Sequence, residues 1–415
     1  MASGFSDLPV IPLDEPFALT AAFKADTHPQ KVSLGAGVYR DNEGRPWILR
    51  SVKEAKDLLH QDVNQDHEYL PIHGSTPFLE LARDLVFGPA SPATAATITS
   101  LQTISGTGAN HLGALFLAQH LQPRQVFISD PTWNSHHLIW TVAGPNVTQK
   151  TYPYYSPTTK SIDFDGMIST LESTAQENDV VILHACAHNP TGIDPSQDQW
   201  RILAQLFKRK KLFAFFDSAY QGFASGDPDL DAWAVRHFRE ILFNDNNSTQ
   251  SGMCVAQSFS KNFGLYGERV GAFHVLTPPS VSSAGISSRL ILLQRSEISS
   301  PPLYGSRIVH LVLSTPSLRK KWESDLRTVS SRIQSVRRAL RLELERLNTP
   351  GDWSHIESQI GMFSYTGLSR EQVEILREKY HVYLLRNGRA SLSGVNEGNV
   401  GYVARAICDV VKSVG

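Results

Sequence analysis

The chain has few cysteines, almost no net charge and no long apolar run. Cys186, Cys254 and Cys408 are the 3 cysteines in 415 residues. Their odd number and wide spacing argue against a disulfide framework and against a Cys-x-x-Cys metal motif. Such sparse cysteine suits a reducing compartment. Lys plus Arg is 39 and Asp plus Glu is 40, a formal net charge of −1. That balance weighs against a general polyanion binder, because nucleic-acid affinity rests on many cationic contacts to phosphate. No nucleic-acid partner is expected. No stretch reaches the roughly 18 apolar residues that span a bilayer, so no membrane partner is expected either. Met1-Ala2-Ser3-Gly4-Phe5-Ser6-Asp7 lacks the charged and apolar regions of a secretory leader and the Arg-rich character of a transit segment. The expected location is the cytoplasm. There is no internal repeat and no low-complexity tract.

What is present suits a packed globular chain: 41% hydrophobic and 19% charged residues. Residues 1–14, rich in proline and small residues, predict an arm rather than a packed element. Apolar spacing predicts helices over 17–26, 52–59, 77–86 and 110–121. Short runs predict strands over 97–104, 125–129, 179–184, 212–217 and 253–258. The last four are apolar on both faces, as in a sheet covered by helices on both sides. The fold class is therefore α/β, a doubly wound and mostly parallel sheet. After about Lys320 the character changes. A long Arg-rich helix over 322–347 leads into short strands such as Gly361-Met362-Phe363-Ser364. Acids at Glu323, Asp325, Glu343 and Glu345 share that helix, so its arginines read as a solvated face. The expected organisation is an arm (1–14), a large domain (48–324) and a smaller α+β domain made of 15–47 and 325–415.

Four segments carry chemistry. Ser105-Gly106-Thr107-Gly108 lies between a strand and a helix, where small residues and free N–H groups can hold an anion. A tight strand–helix turn has the same appearance. The dinucleotide pattern Gly-x-Gly-x-x-Gly fails, because His111 stands at its last position. Lys261 follows the strand 253–258 at the carboxyl end of the sheet, where ligands bind in open α/β folds. Partial burial there would lower its pKa and free it as a nucleophile, whereas a solvated lysine is the plain alternative. Asp217 closes an apolar strand, with Tyr220 three residues on. It is either an acid awaiting a cation or a helix cap. Asn189-Pro190-Thr191-Gly192 reads as a turn, also at a strand end. His184 and His188 beside it lack an acid or cysteine at metal-ligand spacing, so no metal is expected. Taken together, a lysine, an acid, a phosphate cup and an Asn–Tyr pair at successive strand ends describe a pyridoxal phosphate site, the lysine carrying the aldehyde and the acid keeping the pyridine nitrogen protonated.

The sequence resembles the aspartate aminotransferases of the class I, fold-type I group, nearly from end to end. The resemblance is carried by SFSKNFGLYGERVG (258–271), HACAHNPTG (184–192), DHEYLPIHG (66–74), DPTW (130–133) and Gly361-Met362-Phe363. It implies pyridoxal 5'-phosphate as cofactor. Lys261 resembles the Schiff-base lysine and acid/base catalyst, and Asp217 the partner of the pyridine nitrogen. Asn189 and Tyr220 resemble the pair on the phenolic oxygen, and Trp133 the stacking aromatic. Ser105, Gly106, Thr107, Ser258 and Arg269 match the phosphate cup. Tyr69 matches a tyrosine that reaches the phosphate from the neighbouring subunit. Arg389 matches the arginine for the substrate α-carboxylate. Arg295 matches an arginine lent by the other subunit to the distal carboxylate. Gly37 matches a glycine whose backbone approaches substrate. Two guanidinium forks suit a dicarboxylic amino acid and keto acid, and the implied assembly is a homodimer with shared sites. The implied reaction passes the amino group of aspartate to 2-oxoglutarate by a ping-pong route. Pro16, Arg50, Gly267, Ser300 and Ala390 depart from the usual pattern. They leave open a specialised lyase, decarboxylase or synthase acting on a related acidic or sulfonated amino acid.

Overall fold

The apolar runs become the inner strands of a 7-stranded sheet. The computed structural model describes residue 5 and residues 8–243 and 248–414. In chain order the strands are β1 (Ile98–Ile104), β2 (Gln125–Asp130), β3 (Thr148–Pro153), β4 (Val180–His184), β5 (Phe213–Ser218), β6 (Met253–Ser258) and β7 (Val270–Leu276). Their spatial order is β1-β7-β6-β5-β4-β2-β3. β7 runs antiparallel to both neighbours, and the other pairings are parallel. Every residue of β4, β5, β6 and β7 is buried. Successive side chains of a strand point to opposite faces. Phe215 accordingly packs with Leu112, Ile139 and Leu290, and Phe216 with Leu203, Phe207 and Phe238 on the other side. Helices thus cover both faces, and the fold is α/β.

The structure has two strands beyond those expected, β3 and β7. β3 is a mostly exposed edge with the polar sequence TQKTYP, held by its pairing to β2. β7 starts directly after Arg269, whose φ of 55° ends the preceding turn. Gly271 passes so close to the Ser105 backbone that a Cβ would lie 2.5 Å from its carbonyl carbon. The expected helix start at 110 is also corrected. The helix Ser105–His120 begins at Ser105 itself, because one residue with φ 58° makes the whole turn.

The long helix runs Pro316–Arg346, six residues earlier than expected at its start. It passes unbroken through positions 324 and 325, and it serves two cores. Leu318, Trp322 and Leu326 pack with Val52, Phe78 and Val312. Val329, Ile333 and Leu340 pack with Val32, Leu34, Leu384 and Ile407. Its arginines are not uniformly solvated: Arg337 is only 1% exposed. Val32–Ser33 pairs in parallel with Val382–Tyr383, tying the early chain to the late chain. Phe363–Tyr365 pairs antiparallel with Arg389–Ser391.

Of the expected arm, residues 1–4, 6 and 7 lie outside the described residues. Residues 8–14 form neither helix nor strand and are exposed. Among the described residues, no helix is long and apolar enough to cross a membrane.

Candidate active site

The carboxyl ends of the parallel strands converge on one cavity, as the topology of an open α/β sheet dictates. It is lined by Ser105, Gly106, Thr107, Trp133, Asn189, Asp217, Tyr220, Ser258, Lys261 and Arg269 among others. Ten of the sequence-predicted residues therefore meet in one place.

One end of the cavity suits an anion. Ser105 follows β1 and opens the helix to His120, so the N–H groups of that first turn are free and sit at the positive end of its dipole. The Ser105 hydroxyl lies 2.8 Å from Ser260 Oγ and 3.3 Å from Ser258 Oγ. A side chain at Gly106 would place its Cβ 2.9 Å from Ser258 Cβ, so only glycine leaves the backbone this close to the β6 end. Arg269 adds a half-buried guanidinium, turned toward the site by a bond from its Nη1 to the Tyr266 carbonyl at 3.0 Å. Hydroxyls, backbone donors and one fixed cation together match a phosphate.

The other end suits a cation. Asp217 is buried near the end of β5, in register with His184 of β4. His136 Nε2 donates to Asp217 Oδ2 at 3.0 Å, while His136 Nδ1 contacts Thr132 Oγ1 at 2.9 Å. Burial raises the Asp217 pKa, but the His136 hydrogen bond and the neighbouring Lys261 charge help to outweigh it and leave the carboxyl below its ordinary value. Asp217 is thus a carboxylate poised to hold a positive group. His136 carries no sequence signal for this role, because its partner is 81 residues away.

Lys261 lies between the two ends, half-buried. Its amine sits 5.1 Å above the Tyr220 ring. Burial lowers its pKa, Asp217 opposes, and the Arg269 and Arg389 charges lower it further. Burial also pushes the Tyr220 phenol up, keeping it a hydrogen-bond donor.

Arg389 is buried and joins the cavity through Asn189. Its Nη1 donates to Asn189 Oδ1 at 3.2 Å and its Nη2 to the Gly35 carbonyl at 3.2 Å. The guanidinium lies 4.1 Å from the Phe363 ring centre. Gly37 stands against the same ring, since a Cβ there would lie 3.2 Å from Phe363 Cζ. Phe363 belongs to a quoted motif, but its role as the floor of Arg389 emerges only in three dimensions. Tyr69 and Arg295 do not line the cavity. Tyr69 is 89% exposed, and Arg295 is exposed with Nη1 bonded to Ser299 Oγ.

Folding brings together a metal-ligand-type group that sequence spacing does not show. His136, His184 and Asp217 bring their ligand-type atoms within 4.8 Å of one another, although His188 is not part of that group. The His136–Asp217 contact is a hydrogen bond, and the group faces the same cavity. His184 is held neutral, with burial the main cause and its pKa pushed down to about 3. Both of its ring nitrogens, and Arg389 Nε, are buried without a hydrogen-bond partner among the described residues. These orphaned donors and acceptors, the anion cup and the Asp217 carboxylate fit a flat, cationic, phosphorylated ring.

The comparisons agree with this geometry. The family model for aminotransferase class I and II matches residues 29–407. An L-tyrosine:2-oxoglutarate aminotransferase of Aspergillus ustus is 52% identical over 95% of this chain and 76% of its own. The structure of the aspartate aminotransferase from Saccharomyces cerevisiae cytoplasm superposes with a TM-score of 0.95 at 43% identity, covering 99% of each chain. An aromatic-amino-acid aminotransferase from Burkholderia pseudomallei, described as covalently bound to pyridoxal phosphate, has a TM-score of 0.92 at 37% identity over 99% of this chain and 100% of that one. The protein belongs to the class I and II aminotransferase family.

Proposed function

We propose that this protein is a pyridoxal-5'-phosphate-dependent aminotransferase that moves the amino group of L-aspartate to 2-oxoglutarate, giving oxaloacetate and L-glutamate. The observation that carries the reading is the meeting of Lys261, the Asp217 carboxylate and the Ser105–Ser258–Arg269 anion cup in one cavity, with Arg389 bonded to its Asn189.

Ser105, Gly106, Thr107, Ser258 and Arg269 hold the cofactor phosphate. Asp217 holds the ring nitrogen, Asn189 and Tyr220 the phenolic oxygen, and Trp133 the ring face. The bound cofactor supplies a sink for the electrons left at the substrate α-carbon. Lys261 Nζ would take the substrate α-proton and later give a proton back on the same face of the site. Its lowered pKa serves that work, because a base acts best with a pKa near the working pH. Arg389 grips the α-carboxylate in a bidentate fork, with Gly37 lining the approach.

Tyr69 and Arg295 complete the site from the neighbouring subunit of a symmetric homodimer. Their exposure in the single chain, and their absence from its own cavity, support this reading. Residues 15–47 and 325–415 form a small domain over the large domain 48–324, behind an arm of residues 1–14. The location is cytoplasmic, supported by the likeness to the yeast cytoplasmic enzyme.

A second reading keeps the keto acid and changes the donor. The 52% identity to a tyrosine aminotransferase favours it. Initial rates with aspartate and with tyrosine, each with 2-oxoglutarate, separate the two. Borohydride reduction of the holoprotein followed by peptide mapping tests both at once, since each requires the label on Lys261. A label elsewhere, or none, overturns the proposal.

A further inference from the structure

Arg337 is a large, fully buried side chain with no acidic partner among the described residues. It sits on the Pro316–Arg346 helix, 1% exposed. Burial lowers its pKa to about 9. A cation is costly to bury without compensation, so its hydrogen bonds show what holds it there. Nη1 donates to the Ile356 carbonyl at 2.9 Å. Nη2 donates to the Gly361 carbonyl at 2.9 Å and to the Phe363 carbonyl at 2.6 Å. Nε has no acceptor. All three bonds fall on the short segment that delivers Phe363 to the active site.

That segment touches Arg389 from two directions. The Phe363 ring lies 4.1 Å from the Arg389 guanidinium carbon and meets Tyr220 edge-on at 6.3 Å. Ile360 N donates to the Gly192 carbonyl at 2.7 Å. A Cβ on Gly192, whose φ is 68°, would lie 2.8 Å from the Phe363 carbonyl oxygen. The Gly192 turn in turn carries Asn189, whose Oδ1 accepts from Arg389 Nη1. One guanidinium therefore braces both the floor and the lateral hydrogen-bond partner of another.

We propose that Arg337 is a positioning residue for substrate-carboxylate recognition, setting the plane of Arg389 through Phe363 and the Asn189–Gly192 turn. The inference rests on the reading of Arg389 as the α-carboxylate anchor. A fork that binds a planar carboxylate tolerates little misalignment. Both the amino donor and the keto acceptor carry this carboxylate, so both must feel the change.

The test measures steady-state constants of the holoenzyme for aspartate and 2-oxoglutarate in Arg337→Met, Phe363→Leu, the double variant and Arg389→Leu. Arg337→Met is expected to raise both KM values together by about tenfold, below the roughly hundredfold that a full 1 Å misplacement can cost, with a smaller fall in kcat. The Phe363→Leu effect on KM is expected to overlap rather than add in the double variant, as for coupled residues. A purely structural role predicts additive effects or a loss of cofactor absorbance with KM unchanged, and either result overturns the proposal. Should Arg337→Met not fold, Arg337→Lys replaces it. A lysine cannot bridge three carbonyls in a plane, and a KM equal to wild type there overturns the proposal too. Arg389→Leu separates the two levels. If it leaves KM unchanged, the anchor reading fails. If it raises KM while Arg337→Met does not, only this inference fails.

Discussion

His136 Nε2 and Asp217 Oδ2 lie 3.0 Å apart, both buried, at the cationic end of the cavity. Without that bond, burial would push the Asp217 carboxyl toward its neutral form. With it, the carboxyl stays below its ordinary value and remains an anion at the position where a ring nitrogen needs one.

Replacing His136 by Ala should therefore raise the Asp217 pKa. In the wild type the folded value lies below the unfolded one. The carboxylate then contributes stability above the unfolded value, and loses it as pH falls through the folded value. In His136→Ala burial is less opposed, so the buried carboxylate weakens the fold at neutral pH. The deficit in melting temperature relative to wild type should be largest near neutrality and shrink as pH falls through the lowered wild-type value of the Asp217 carboxyl. Melts across that range check this. A deficit independent of pH contradicts it.

Lys261→Ala should lower turnover by at least about ten-thousandfold, the upper range for loss of an acid/base group, since the covalent role goes with it. Rates with aspartate and 2-oxoglutarate at saturating cofactor measure this. Near-wild-type turnover would remove Lys261 from the mechanism.

Gly106→Val forces a Cβ to within 2.9 Å of Ser258 Cβ. Overpacking of this kind costs about 1 to 3 kcal/mol, and here the strain falls on the anion cup. Titration with pyridoxal phosphate should show weaker binding than wild type, with a lowered melting temperature. Unchanged affinity would place the phosphate elsewhere.

Arg295→Asp should cut the preference for dicarboxylic over neutral substrates by roughly 10- to 100-fold, the worth of a charged hydrogen bond of about 1.5 to 3 kcal/mol. The ratio of kcat/KM for aspartate to that for alanine reads this out. A constant ratio would show that Arg295 does not meet the distal acid.

Subunit mixing tests the shared site. Lys261→Ala and Arg295→Asp proteins are each impaired. If each site draws Arg295 from its neighbour, exchanged heterodimers hold one intact site of two. Half of a random mixture is heterodimer, so about a quarter of wild-type activity should return in a symmetric dimer. No recovery after verified exchange would place both residues in one subunit's site.

The strand ends were legible because chemistry and hydropathy coincide there. Asp217 follows five apolar residues, and Lys261 follows β6 by three. β3 was not legible, because TQKTYP is held by ladder bonds to β2 and not by burial. The helix start at Ser105 was not legible and was expected at 110, since a positive φ on serine leaves no mark in composition. Arg337 was grouped with solvated arginines, because its acceptors are backbone carbonyls that no residue type announces.

By itself the sequence determined the class of the fold, the order of most of its strands and helices, and the residues able to do the chemistry. Period, burial preference and residue type are local properties. Tertiary structure alone decided which of those residues meet, that His136 reaches Asp217, that Phe363 supports Arg389, and that Tyr69 and Arg295 stay outside the chain's own cavity. Those relationships depend on directions and distances between segments far apart in the chain, which only the packed sheet and its helices set.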